Sequence, residues 1–157
     1  MPCKVVALVT SFMSNDQFRL AEFLPYQLSI ASNAVSNRIA RAYHDAFGLK
    51  VTEWRVMAML GDAGALTQRE LTAKTLMDKV AVNRACKVLE QRDLAMRLPN
   101  SKDGRSHHLE LTGAGHAMHA QIVPMAREIE AKLLEPLSAK QQEMFRMLLD
   151  QIREQAS

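Results

Sequence analysis

The chain has 157 residues, 48% apolar and 24% charged, with two cysteines and a formal net charge of +3. That balance describes one folded domain with a proper core, and it excludes a disordered tail, a disulfide-stapled scaffold and a second large domain. Aromatics are scarce at 5%, and the abundance of Leu, Ala and Met favours helices over sheets.

Residues 1–13 read MPCKVVALVTSFM, with an apolar run from Val5 to Val9. The run is too short to span a membrane, and no small-residue cleavage site follows it. Residues 1–13 are expected to be a leader, with residues 1–12 a translation-start artefact, Met13 the true start and 14–157 a single domain. Leu24, Leu28, Ala31, Val35, Ile39, Ala42 and Ala46 then recur every three or four residues and predict one long helix over Pro25–Phe47. Its opposite face carries the small polar residues Ser29, Ser32, Asn33, Ser36 and Asn37. Gly48 is a natural stop. Thr52 is the expected cap of a second helix with an apolar stripe of Trp54, Met57 and Leu60, ended by Gly61 and Gly64.

Thr67-Gln68-Arg69-Glu70 is a capping box, in which hydroxyl and carboxylate each satisfy a backbone N–H. It predicts a short helix to about Thr75. Asp78 caps a fourth helix, with Val82, Ala85, Cys86 and Leu89 facing inward. Two capped helices so closely spaced make a helix-turn-helix. Ala95–Pro99 and Ser106–Leu111 read as strands joined by a turn with Asp103-Gly104 at its centre, a hairpin wing. Thr112 caps a long helix that Pro124 should kink and Pro136 breaks. Ser138 and Gln141 form a second capping box, after which Met144, Phe145, Leu148, Leu149 and Ile152 face one way.

Charge is distributed unevenly along this order. Thr67–His108 holds nine Lys and Arg against five Asp and Glu, so the whole positive excess lies in the central segment. That segment suits a polyanion. Cys3 and Cys86 are far apart, show no metal-site spacing and fit a reducing, cytoplasmic compartment.

The stretch Lys79-Val80-Ala81-Val82-Asn83-Arg84-Ala85, then Leu89-Glu90 and Leu94, resembles the recognition helix and exit of the MarR (multiple antibiotic resistance regulator) family. Asp103-Gly104-Arg105 followed by Leu109-Glu110-Leu111-Thr112 and Gly115 resembles that family's wing signature, and Thr52-Glu53-Trp54-Arg55-Val56 its second-helix opening. The resemblance covers about Phe23 to Ser157. One departure is Asp93, where the family commonly has Gly; Asp tolerates a left-handed backbone better than most residues.

The resemblance implies a mainly α fold with a small β-hairpin wing, a six-helix winged helix-turn-helix dimer. Residues 14–50 and 113–157 would dimerise and 51–112 would form the winged lobe. The wide apolar stripes of the first and last helices independently favour a homodimer. The implied partner is double-stranded DNA carrying a pseudo-palindromic operator, and the implied role is repression. On the fourth helix, Asn83 and Arg84 suit base edges, Ala81 shares the uncommitted face, and Lys79 and Lys87 suit phosphates. Thr67 and Gln68 can hold a phosphate at a helix start. Arg105 at the wing tip suits the minor groove, with Asp103 orienting the wing and Lys102 and Ser106 as supporting phosphate contacts. Lys87, Arg92 and Lys102 each weigh equally as a DNA contact and as a solvated surface charge.

Many members of that family release DNA when a small molecule, often an aromatic acid, enters a cleft. Ser29, Ser32, Asn33 and Ser36, with Trp54, Arg55 and Met57, are the candidates to line one here. Thiol control is the weaker alternative, because Gln27-Leu28-Ser29 has Ser where the peroxide-sensing branch has Cys. Metal control is equally weak. His116 and His119 are three apart, but His107 and His108 point to opposite faces of a strand. No metal, no cofactor and no enzymatic motif is expected; phosphate loop, nucleophile elbow and HExxH are all missing.

Overall fold

The computed structural model describes residues 18–99, 104 and 106–156. Among these, six α-helices and three strands follow in the order α1 (Leu24–Phe47), α2 (Val51–Ala63), β1 (Leu66–Thr67), α3 (Gln68–Thr75), α4 (Lys79–Gln91), β2 (Ala95–Pro99), β3 (His107–Leu111), α5 (Gly113–Leu134) and α6 (Ala139–Ala156). Among the described residues no helix is long and apolar enough to cross a membrane.

The chain divides into two units, one ending at Val35 and the other beginning at Ser36. In the first, a short 3-10 turn at Leu20–Glu22 precedes α1. Phe18 meets Phe23 edge to face at 5.4 Å, and Gln27 Nε2 donates to the Ala21 carbonyl at 2.7 Å. The unit exposes Leu24, Leu28 and Val35.

The second unit holds the core. Leu49, Val56, Met57, Leu60, Leu71, Val82, Cys86, Leu89 and Ile122 are buried together. Full burial of each Leu, Val, Ile or Met contributes about 1.5–3 kcal/mol. Tyr43 packs edge to face on Trp54 at 4.9 Å, and Trp54 stacks on His119 at 6.1 Å. The inward stripe expected for α4 is buried as the spacing predicts. The α6 stripe behaves differently: Met144, Phe145, Leu148, Leu149 and Ile152 are all exposed in the single chain.

Local chemistry explains most helix starts. Thr67 Oγ1 accepts from Glu70 N–H at 3.2 Å, and the Glu70 carboxylate accepts from Thr67 N–H at 2.8 Å. Asp78 Oδ1 accepts from Ala81 N–H at 2.8 Å. Thr112 Oγ1 accepts from Gly115 N–H at 3.0 Å, and Ser138 with Gln141 closes the last box. Two expectations for α2 fail. Lys50, not Thr52, precedes the helix, because the Glu53 carboxylate reaches back to accept Lys50 N–H at 2.8 Å. Nor does Gly61 end it; α2 runs to Ala63, and Gly64 stops it at φ +78°. The chain also forms a third strand. β3 lies between β1 and β2, pairing Thr67 with His108 and Ala95 with Leu111, both antiparallel. Helix α5 continues through Pro124.

The exit of α4 is a Schellman motif. Asp93 N–H donates to the Glu90 carbonyl at 3.0 Å and Leu94 N–H to the Leu89 carbonyl at 2.9 Å. Asp93 itself has φ +54°, the left-handed backbone expected of it. Glycine carries no Cβ penalty there, so Asp93→Gly is expected to stabilise the fold by about 1 kcal/mol. A urea titration measures it; a lower midpoint would show that the aspartate side chain contributes more than the strain costs.

Candidate nucleic-acid interface

Helix α4 is amphipathic. Its buried stripe packs toward α2 and α3, which leaves Lys79, Arg84 and Lys87 exposed on the other side, with Ala81 and Asn83 half-buried between. Asn83 is held in place: Gln68 Nε2 donates to its Oδ1 at 3.0 Å, joining the start of α3 to the middle of α4. The remaining Asn83 lone pair and its amide N–H groups offer the donor–acceptor pair that adenine complements. Thr67 serves two elements at once, pairing in the sheet through β1 and capping α3. The same strand β3 that forms the wing therefore also fixes the start of the helix-turn-helix.

A depression of about 460 Å³ lies between the start of α2 and α4. Ala81, Ala85 and Val88 are among its lining residues, where Lys50, Arg84 and Lys87 outnumber the acid, Glu53. Glu53 is only 4% exposed and is held by the Lys50 backbone. Nearby, hydrogen bonds from Thr67 hold the Glu70 carboxyl below its ordinary range.

Ser106 is half-buried at the foot of β3. Lys102, Asp103 and Arg105 lie outside the described residues. Arg92 has a definite use that spacing could not reveal: its guanidinium donates to the carbonyls of Phe47 (2.8 Å) and Gly48 (3.1 Å), capping the end of α1. Arg97 pairs with Glu90 at 2.5 Å, bracing the wing against α4.

Of the residues expected to line an effector cleft, Ser29, Ser32 and Asn33 are exposed in the first unit. In the second, Ser36 and Trp54 are half-buried, Arg55 is exposed and Met57 is fully enclosed in the core. His119 is turned onto Trp54 and His116 faces solvent; among the described residues no group of three His, Cys, Asp or Glu could hold a metal ion.

Cys86 is fully buried on the inward side of α4, and burial pushes its thiol up to about 11. At pH 8 the thiolate fraction is then on the order of one part in a thousand. Iodoacetamide is expected to leave the Cys86 peptide unmodified in native protein and to label it only as urea unfolds the chain; rapid native labelling, read by mass spectrometry, would contradict this burial.

A sequence profile described as the MarR family matches residues 47–106. The chain is 31% identical to a probable transcriptional regulator from Pseudomonas aeruginosa, covering 85% of this chain and 99% of that one with a TM-score of 0.73. A MarR/EmrR family transcriptional regulator from Acinetobacter is 25% identical, with 88% and 98% covered and a TM-score of 0.81. An HTH-type transcriptional repressor of Mycobacterium tuberculosis is 28% identical over 105 residues, 67% of this chain and 76% of the relative. The fold alone is shared with Bordetella bronchiseptica BpsR, whose DNA binding is regulated by 6-hydroxynicotinic acid (21% identity, 87% and 96% covered, TM-score 0.80).

Proposed function

The chain belongs to the MarR family of transcriptional regulators, and from that premise we propose that it is a dimeric repressor that reads a pseudo-palindromic operator with α4 and is released by a small organic acid. The single observation that carries this reading is the exposed cationic face of α4, set directly opposite its buried stripe. A helix so mounted fits the major groove, where base edges differ in donor and acceptor pattern. Asn83 and Arg84 are assigned to bases, and Lys79, Lys87, Thr67, Gln68 and Ser106 to phosphates. Ala81 lies close beside them on the same helix. Arg105 is assigned to the minor groove and Lys102 to a phosphate, with Asp103 orienting the wing.

Dimerisation is supported by the exposed α6 stripe, since a soluble chain rarely leaves so many adjacent apolar side chains in water. Residues 14–50 and 113–157 supply that interface, and 51–112 the DNA-reading lobe. The reading implies a cytoplasmic protein and calls for no catalytic chemistry. Repression is supported by the mycobacterial relative's name, and release by an acid is supported by BpsR.

Protection mapping of the promoter beside the chain's own gene tests the reading. Two protected half-sites about one helical turn apart are expected. Loss of protection on adding small aromatic acids would support release, and a promoter left uniformly accessible would refute operator binding.

A further inference from the structure

Two apolar side chains stand in water at the leading edge of the reading helix. Leu76 is 82% exposed and Val80 58%. Single exposed apolar residues are ordinary on protein surfaces. Leu76 is not ordinary, because it ends α3 in the left-handed backbone, at φ +52° and ψ +26°. Glycine or asparagine would relieve that conformation, and an exposed leucine gains little burial to offset it. Val80 is the second residue of α4, the turn whose side chains approach base edges in a helix-turn-helix.

The polar groups around this turn are few. Asp78 is spent capping Ala81 N–H, and Lys79 is a long, flexible phosphate-seeking cation. What the leading turn offers the groove is apolar surface. In the major groove the group that apolar surface distinguishes is the 5-methyl of thymine. We propose that Val80 and Leu76 read thymine methyl groups, so that each operator half-site carries thymine opposite the first turn of α4. This rests on the DNA-reading role proposed above for α4, and it adds a base preference that the polar residues do not supply.

The test replaces thymine by uracil, one position at a time, in a duplex carrying the mapped operator. Pairing is kept and only the methyl is lost. For wild-type protein, fluorescence anisotropy is expected to show one or two positions per half-site where uracil weakens binding about three- to tenfold. Val80→Ala should bind thymine and uracil operators equally at its position. Alanine is the better helix former at an exposed site, and circular dichroism checks the fold; Val80→Thr, which keeps the shape, serves as a second variant. Leu76→Asn should raise Tm and weaken operator binding together, opposite signs that a purely structural residue would not give. Wild-type protein that binds the operator but ignores uracil at every position would overturn the proposal and leave the DNA reading intact. Val80→Ala protein that keeps the full uracil penalty would overturn it in the same way. A wild-type protein that binds no operator duplex at all would overturn both.

Discussion

Gly115→Ala is expected to destabilise the fold by about 3 kcal/mol or more, the largest effect among the Gly→Ala substitutions. Gly115 is the third residue of α5, and a Cβ there would lie 1.9 Å from the Leu94 carbonyl oxygen, 3.0 Å from its carbon and 3.3 Å from Leu111 Cβ. The obstacle is backbone, and that backbone is fastened. Thr112 N–H donates to the Leu94 carbonyl at 3.1 Å, and Thr112 Oγ1 donates to the Asp93 carbonyl at 2.5 Å. Relief therefore requires α5 to move away from the exit of α4, which breaks both bonds. In a chain of this size 3 kcal/mol lowers Tm by roughly 6–12 °C. Gly113→Ala is the control. Nothing lies within 4 Å of a Cβ there, and the substitution should be neutral or stabilising by up to about 1 kcal/mol. Gly61→Ala should fall between, since its obstacle at 2.6 Å is the His119 ring, a side chain that can turn. Calorimetry that finds Gly115→Ala as stable as wild type would show that α5 does not seat against Leu94 as described.

Arg84→Ala and Arg105→Ala should each weaken operator binding by about 1–3 kcal/mol without lowering Tm. Arg84 is exposed on α4 and takes no part in the core, so its removal leaves packing intact. A bidentate Arg–guanine contact also predicts relaxed discrimination at one operator position. Lys79→Ala is expected to act differently, weakening all duplexes alike and reducing the slope of log K against log salt by about one. Anisotropy with the operator and a scrambled duplex separates the two behaviours. Equal losses on both duplexes for Arg84→Ala would move that residue from bases to phosphates, and unchanged affinity for Arg105→Ala would remove it from the interface.

How much of the fold is legible in the sequence depends on how local the deciding interaction is. The boxes at Thr67–Glu70 and Ser138–Gln141 and the caps at Asp78 and Thr112 stand where the sequence places them, because each is settled within three residues. The inward stripe of α4 follows from its period alone. The start of α2 is easily misread because a Thr beside a Glu imitates a cap, while the Glu53 carboxylate in fact reaches Lys50. Gly61 lies inside its helix, close under the His119 ring 58 residues away in sequence, a neighbour that no local pattern reveals. Strand β1 is only two residues long and exists through β3, so no local pattern announces it. In the interface, the cations of α4 are readable from charge and motif position. The use of Arg92 is not, since its acceptors lie at Phe47 and Gly48. The exposure of Val80 and Leu76 is equally hidden, because apolar residues in a period of 3.6 read as core until their surroundings are known.

Sedimentation equilibrium of the protein with a labelled operator duplex at low ionic strength tests the dimeric, DNA-reading assignment most directly. Two chains bound per duplex, and a two-chain species in its absence, is the predicted result. One chain per duplex, or a free duplex at every protein concentration, would contradict it.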